Sequence, residues 1–254
     1  MIYKLDHIGI TVRSLSEAQN QIENIHPCFH SQHGIEVREA LSEVSIHKPE
    51  RLSISLHKKK NDISIELIEY PRMSKKTGSL FPWWYDSARP PGDLKGLKDA
   101  VREQVDRSLG GYCFADIASL LAAHRAFNAV VIPVEDLAAE ERFWAEFRFK
   151  KIHADDDVVI LGLRSLVPPA ESHYLILYRV DYAIQYHTDV EGINEIALLC
   201  SSCSADLRAF PQDVFKSAVD KLLVDGKEID LGYLRSPSGV LAELFSVRLV
   251  AHER

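Results

Sequence analysis

Polar and apolar residues alternate from Tyr3 to Val12, which predicts a strand with Leu5, His7, Gly9 and Thr11 on one face and Asp6, Ile8, Ile10 and Val12 on the other. Ser14-Leu-Ser-Glu17 then has capping-box spacing, and a helix is expected to run on through Ala18, Ile22 and Ile25. Three stretches rich in β-branched residues follow: Gly34 to Val37, Glu43 to Ser45 leading on to Leu52 to His57, and Ile63 to Tyr70. Residues 1–70 therefore read β-α-β-β-β.

The same order recurs. Asn128 to Val134 reads as a strand, Glu135 to Trp144 as a helix capped by Asp136, and Lys151-Ile152, Val158 to Leu163 and Tyr174 to Val180 as further strands. A third round opens at Ile193 to Leu199 and passes through a helix near Ala205 to Phe210. It ends with strands at Leu222 to Val224, Leu231 to Leu234 and Val240 to Val247. Recurrence of one unit predicts an α+β chain of repeated βαβββ modules, at 1–70, 127–180 and 190–248. Residues 71–126 break the pattern and read as an insertion or a degenerate module. They hold Phe81-Pro-Trp-Trp-Tyr-Asp86, Arg89-Pro-Pro-Gly92, a helical stretch from Asp93 to Val105, a short strand at Tyr112 to Phe114 and a helix from Asp116 to Ala126. The aromatic run suits either a plug on the core or a lid over a substrate.

Composition narrows the partners. A net charge of −7 argues against nucleic acid or an anionic membrane surface, which demand a basic face. Met1-Ile-Tyr-Lys leads straight into the first strand without a signal-peptide core, and no apolar run approaches the ~20 residues of a membrane span. Cys28, Cys113, Cys200 and Cys203 are too few and too scattered for a disulfide scaffold. These features predict a cytoplasmic protein with reduced thiols. Cys200-Ser-Ser-Cys203 lacks the second pair a zinc ribbon needs, so it reads as buried structural cysteine.

Chemistry concentrates at matched positions of the first and third rounds. Leu5-Asp-His7-Ile-Gly9-Ile-Thr-Val12 aligns with Ile193-Asn-Glu195-Ile-Ala197-Leu-Leu-Cys200, which places His7 opposite Glu195 in the repeat. A small residue stands two places on in each, leaving room on that face for a ligand. The closing strands carry Ile65-Glu66-Leu67 and Ala242-Glu243-Leu244, the latter after the turn Ser236-Pro-Ser-Gly239. The second round has Ala129 where the first has His7, and Tyr174 to Tyr178 offers no carboxylate.

A β-α-β-β-β unit opening on Asp6-His7-Ile8 and closing on Ile65-Glu66-Leu67 resembles the vicinal oxygen chelate superfamily. That superfamily includes glyoxalase I, methylmalonyl-CoA epimerase, extradiol dioxygenases and the bleomycin-resistance proteins. The resemblance covers residues 1–70 and 127–248. It implies half-open barrel sheets formed by paired modules around a cleft, with a divalent metal held by first and last strands. Carried over position by position, the implied ligands are His7, Glu66, Glu195 and Glu243. Consecutive modules would ordinarily pair, two with three. The full ligand set instead favours one with three, in cis or through a homodimer.

An imidazole with carboxylates suits Zn, Fe, Mn, Ni or Co. Resemblance to the glyoxalase-like members implies an isomerase, lyase or epimerase acting on a small oxygenated metabolite, with Glu243 or Glu195 removing a proton beside a metal-polarised carbonyl. A metal-free binding or resistance protein of the bleomycin-resistance type is the alternative. A non-haem iron dioxygenase fits less well, because the facial triad uses two histidines and neither His173 nor His187 stands at a matched position.

Overall fold

A computed structural model of the chain describes residues 1–59, 62–73, 80–85, 98–99, 101–103, 117–119, 121–122, 127–168, 170–181, 186–224 and 227–249. The first round forms β1 (Ile2–Val12), α1 (Leu15–Ile22), β2 (Cys28–Glu36), α2 (Glu39–Val44), β3 (Arg51–His57) and β4 (Ser64–Glu69). β5 (Phe81–Trp83) precedes the second round, β6 (Ala129–Val134), α3 (Leu137–Ala145), β7 (Lys150–Ala154), β8 (Val158–Arg164) and β9 (Ser172–Arg179). The third round is β10 (Gly192–Cys200), α4 (Cys203–Ala209), β11 (Asp220–Val224), β12 (Lys227–Arg235) and β13 (Leu241–Leu249). Short helical stretches lie at 98–99, 101–103, 117–119 and 121–122. The expected strand at Tyr112 to Phe114, Cys113, and most of the two helices expected around it fall outside the described residues.

The first and third rounds share one eight-stranded sheet in the order β11-β12-β13-β10-β1-β4-β3-β2. Its centre is the antiparallel pair β1 and β10, so one chain joins module one to module three directly. Within each module the first strand runs parallel to the last, β1 beside β4 and β10 beside β13. The second round builds a separate five-stranded sheet, β5-β6-β9-β8-β7. There the aromatic run supplies β5, with Phe81 opposite Val131 and Trp83 opposite Ala129. Phe81 is fully buried while Trp84 remains 46% exposed.

Helix starts follow the sequence closely. Ser14 accepts a hydrogen bond from the Glu17 amide at 3.3 Å, and Asp136 accepts from Ala138 and Ala139 at 2.9 Å each, satisfying donors that the first turn leaves free. α3 ties the two sheets together. Trp144 Nε1 donates to Glu140 Oε1 at 2.9 Å, and Glu140 Oε2 accepts from the Ser238 amide at 2.9 Å in the β12–β13 turn. Phe143 and Phe147 stack on Phe210, with ring centroids 5.9 and 4.8 Å apart.

The segment after β2 departs from expectation. Glu43 to Ser45 was expected to begin a strand, yet Glu39–Val44 is a helix that buries Ala40, Leu41 and Val44. Spacings of one, three and four residues suit a helical face, and one β-branched residue was too little evidence for a strand. β2 itself is longer than the expected Gly34 to Val37. It is an edge strand with mostly exposed side chains, so burial imposes no apolar alternation on it. α2 reaches across to the third module: the Ala40 amide donates to Asp220 Oδ2 at 3.0 Å and the Ala218 amide to Glu43 Oε2 at 2.7 Å. These bonds join the two outer margins of the curled sheet.

Candidate metal centre

Register places the chemistry-bearing residues in two rows across the middle of the eight-stranded sheet. Across β1 and β10, His7 faces Ala197 and Gly9 faces Glu195. β4 sets Glu66 beside Gly9, and β13 sets Glu243 beside Ala197. One row therefore reads Glu243, Ala197, His7, and the other Glu195, Gly9, Glu66. Each small residue separates two polar ones, and the rows are related by the approximate twofold between β1 and β10. Gly9 has a specific role, because a Cβ there would stand 2.5 Å from Glu195 Cδ and closer still to its Cγ and Oε1. The room beside Gly9 is thus filled by Glu195 itself.

The β1–β10 register is irregular at three points, between Ile2 and Lys4, Leu5 and His7, and Gly9 and Ile10. Between Leu5 and His7, two residues of β1 oppose one of β10. This bulge brings Asp6 to the His7 side, so Lys4, Asp6 and His7 all line the cleft while Leu5 is fully buried. The expected placement of Asp6 on the opposite face is corrected accordingly. His7 Nδ1 lies 3.0 Å from Asp6 Oδ2, and Asp6 also pairs with Lys4. That contact orients the ring and turns Nε2 toward the carboxylates.

His7 Nε2 lies 3.6 Å from Glu66 Oε2 and 3.9 Å from Glu243 Oε1, and it is buried without a hydrogen-bond partner among the described residues. Ligand atoms of His7, Glu66 and Glu243 all fall within 4.8 Å of one another. Glu195 lies outside that cluster, 1% exposed, with neither carboxylate oxygen hydrogen-bonded among the described residues. Glu243 Oε2 accepts from Tyr233 Oη at 3.5 Å. The structure thus brings together three of the four implied ligands and sets the fourth beside them. Asp6 and Tyr233 were missed: the bulge hides the first, and the second is recognisable only from its pairing with Glu243 across β12 and β13.

Electrostatics follow from packing acids together out of water. Burial, then repulsion from Glu243 and Glu66, pushes the Glu195 carboxyl well above the usual range. Glu243 is pushed up to about 7, first by burial and then by the charges of Glu66 and Asp6, with His7 opposing. Burial disfavours a charged His7, but the hydrogen bond to Asp6 and the negative charges of Glu66 and Glu243 outweigh it and hold the imidazole well above its ordinary value. Burial would raise Asp6, yet His7 and Lys4 hold it well below the carboxylate range.

An unpartnered buried imidazole nitrogen aimed at two carboxylates fits a divalent cation, which would satisfy the orphaned atom and the clustered negative charge at once. His173 and His187 do not line this cleft. Around the polar floor the sheet curls into a cavity of about 330 Å³, walled by apolar side chains from both modules. Cys200 and Cys203 lie elsewhere as free buried thiols, both pushed well up by burial. No described helix is long and apolar enough to cross a membrane.

No protein-family model and no curated protein matches the chain. Among solved structures, a glyoxalase I mutant from Zea mays is 12% identical, with 96% of this chain and 93% of that one covered at a TM-score of 0.48. A glyoxalase/bleomycin resistance protein/dioxygenase from Nocardioides is 12% identical over 49% of this chain and 83% of its own, at 0.35. The corresponding domain from Frankia sp. is 15% identical over 48% and 98%, also at 0.35. First and last strands run parallel within each module and two modules join antiparallel through β1 and β10, so the chain is a mixed α+β fold with a curled half-barrel sheet of eight strands and a second, five-stranded sheet.

Proposed function

We propose that this protein is a divalent-metal-dependent enzyme of the glyoxalase type, an isomerase, lyase or epimerase that moves a proton on a small oxygenated metabolite. The observation that carries this reading is His7 Nε2, buried, unpartnered and facing Glu66 and Glu243 on the floor of a substrate-sized cavity. His7, Glu66 and Glu243 would hold the ion, with Glu195 outside this cluster. A bound dication supplies Lewis-acid polarisation of a substrate oxygen. The chain supplies the proton acceptor. Glu243 would be the carboxylate that leaves the ion to take and return the proton, while Glu66 and His7 stay on it. Tyr233 Oη positions that carboxylate by donating to Oε2. Glu195, buried against Gly9 without hydrogen bonds, is the second candidate base. Asp6 fixes the His7 ring through Nδ1.

Deuterium exchange tests this reading. Metal-supplied protein in D₂O should exchange the proton beside the carbonyl of a bound 2-oxo or 2-hydroxy acid, and Glu243→Gln should lose exchange while retaining ligand. Exchange indifferent to metal and to both Glu243 and Glu195 would count against it. A metal-free binding protein is the second reading, favoured by the apolar walls and by acids that burial keeps protonated. Metal analysis of the purified protein separates the two. A non-haem iron dioxygenase ranks third, because the cluster contains one imidazole where the facial triad needs two.

A further inference from the structure

The cavity is amphipathic in a way that the proposed chemistry alone does not require. His7 and the acid cluster form its floor, its walls include Leu56 and Ile68 from module one and Leu231 and Phe245 from module three, and its further charged residues, among them Lys58 and Lys227, lie toward solvent. α2 packs against the third module beside it, with Leu41 as part of the wall. Apolar surface continues outward. Phe29 and Val247 line the same cavity yet are 67% and 43% exposed, so hydrophobic side chains rim its mouth in contact with water.

A glyoxal-sized substrate would leave most of this wall uncovered. From the polarity of the floor, walls and rim, we infer that the natural ligand carries its oxygen functions at one end of an extended acyl or aryl body. The oxygens meet the His7–Glu66–Glu243 end, and the body lies between Leu56 and Phe245 toward the rim. The inference rests on reading that cluster as the polar-head site, and it narrows the substrate class to amphipathic molecules with one oxygenated end. Selectivity for the body then resides in the walls and rim, separate from the residues that handle the proton.

The test is a chain-length series. Straight-chain 2-hydroxy carboxylates from three to ten carbons are titrated by calorimetry into the 254-residue chain, once supplied with Zn²⁺ and once treated with chelator. Each methylene buried in the cavity should tighten binding roughly three- to fourfold, following about 0.8 kcal/mol per CH₂. Val247→Glu at the exposed rim should weaken the longest ligands at least tenfold and leave the shortest unchanged. His7→Ala should weaken all lengths by one common factor while preserving the gradient. The same gradient with affinities unchanged by removal of zinc and by His7→Ala supports the apolar-body inference and defeats the metal reading. A flat series, or no binding at any length, overturns the inference whatever the metal content.

Discussion

Replacing Gly9 with alanine isolates the close packing at the centre of the site. Gly9 does not have a positive φ, so its backbone is open to alanine, and lost chain freedom in the unfolded state would by itself stabilise the variant by about 0.4–1 kcal/mol. Against this stands the overlap with Glu195, whose Cδ would lie 2.5 Å from the new Cβ, with Cγ and Oε1 nearer still. Glu195 is 1% exposed, and moving off Gly9 would carry its carboxyl toward Glu66 and Glu243, whose charges already repel it. Overpacking of this kind costs about 1–3 kcal/mol, so Gly9→Ala should be destabilised by about 1–2 kcal/mol net. Urea denaturation of chelator-treated wild type, Gly9→Ala, Glu195→Ala and the double variant closes the cycle. The penalty should vanish, or turn into a small gain, once Glu195 is trimmed, giving a coupling of at least about 1 kcal/mol. A neutral or stabilising Gly9→Ala, or a penalty unchanged in the Glu195→Ala background, would refute the packing of Glu195 over Gly9.

Glu243 supplies a prediction with a definite sign. Its folded-state value is raised from 4.5 to about 7, so the native apoprotein holds the proton more tightly than the unfolded chain. That contribution is present in full below the unfolded value and lost as pH rises through 7. The stability of metal-free wild type relative to Glu243→Gln should therefore fall by about 2–3 kcal/mol between about pH 5 and pH 8, and a pH-independent difference would contradict the burial argument. Asp6→Asn should weaken metal retention by about 10–100-fold in competition with a chromophoric chelator, with the fold intact by circular dichroism; unchanged affinity would remove Asp6 as the group that orients His7. Glu140→Ala deprives Trp144 Nε1 and the Ser238 amide of their buried acceptor and should cost about 2 kcal/mol or more in denaturant unfolding, whereas a loss under ~0.5 kcal/mol would show that this link between second and third modules is dispensable.

How much of this was legible in the sequence depended on whether burial imposed a period. β1, β10 and the closing strands β4 and β13 are buried on at least one face, so their patterns were clear and their ligands could be matched across repeats. The caps at Ser14 and Asp136 were legible because capping chemistry is local. β2 was truncated in the reading because an edge strand exposes most of its side chains, and α2 was missed because its burial depends on a distant partner, the β11–β12 region. Asp6 could not be placed because a bulge is a property of pairing between strands, which one strand's alternation does not encode. The pairing of modules one and three followed from matching His7, Glu66, Glu195 and Glu243, although chain order favoured another arrangement.

Anomalous diffraction from crystals grown with Zn²⁺ or Mn²⁺, recorded on either side of the metal edge, tests the central claim most directly. One strong anomalous peak per chain is expected between β1 and β13, bonded to His7 Nε2, Glu66 and Glu243, and absent in His7→Ala. Wild-type crystals without a peak at that position, or with the metal bound elsewhere while His7 Nε2 remains unligated, would contradict it.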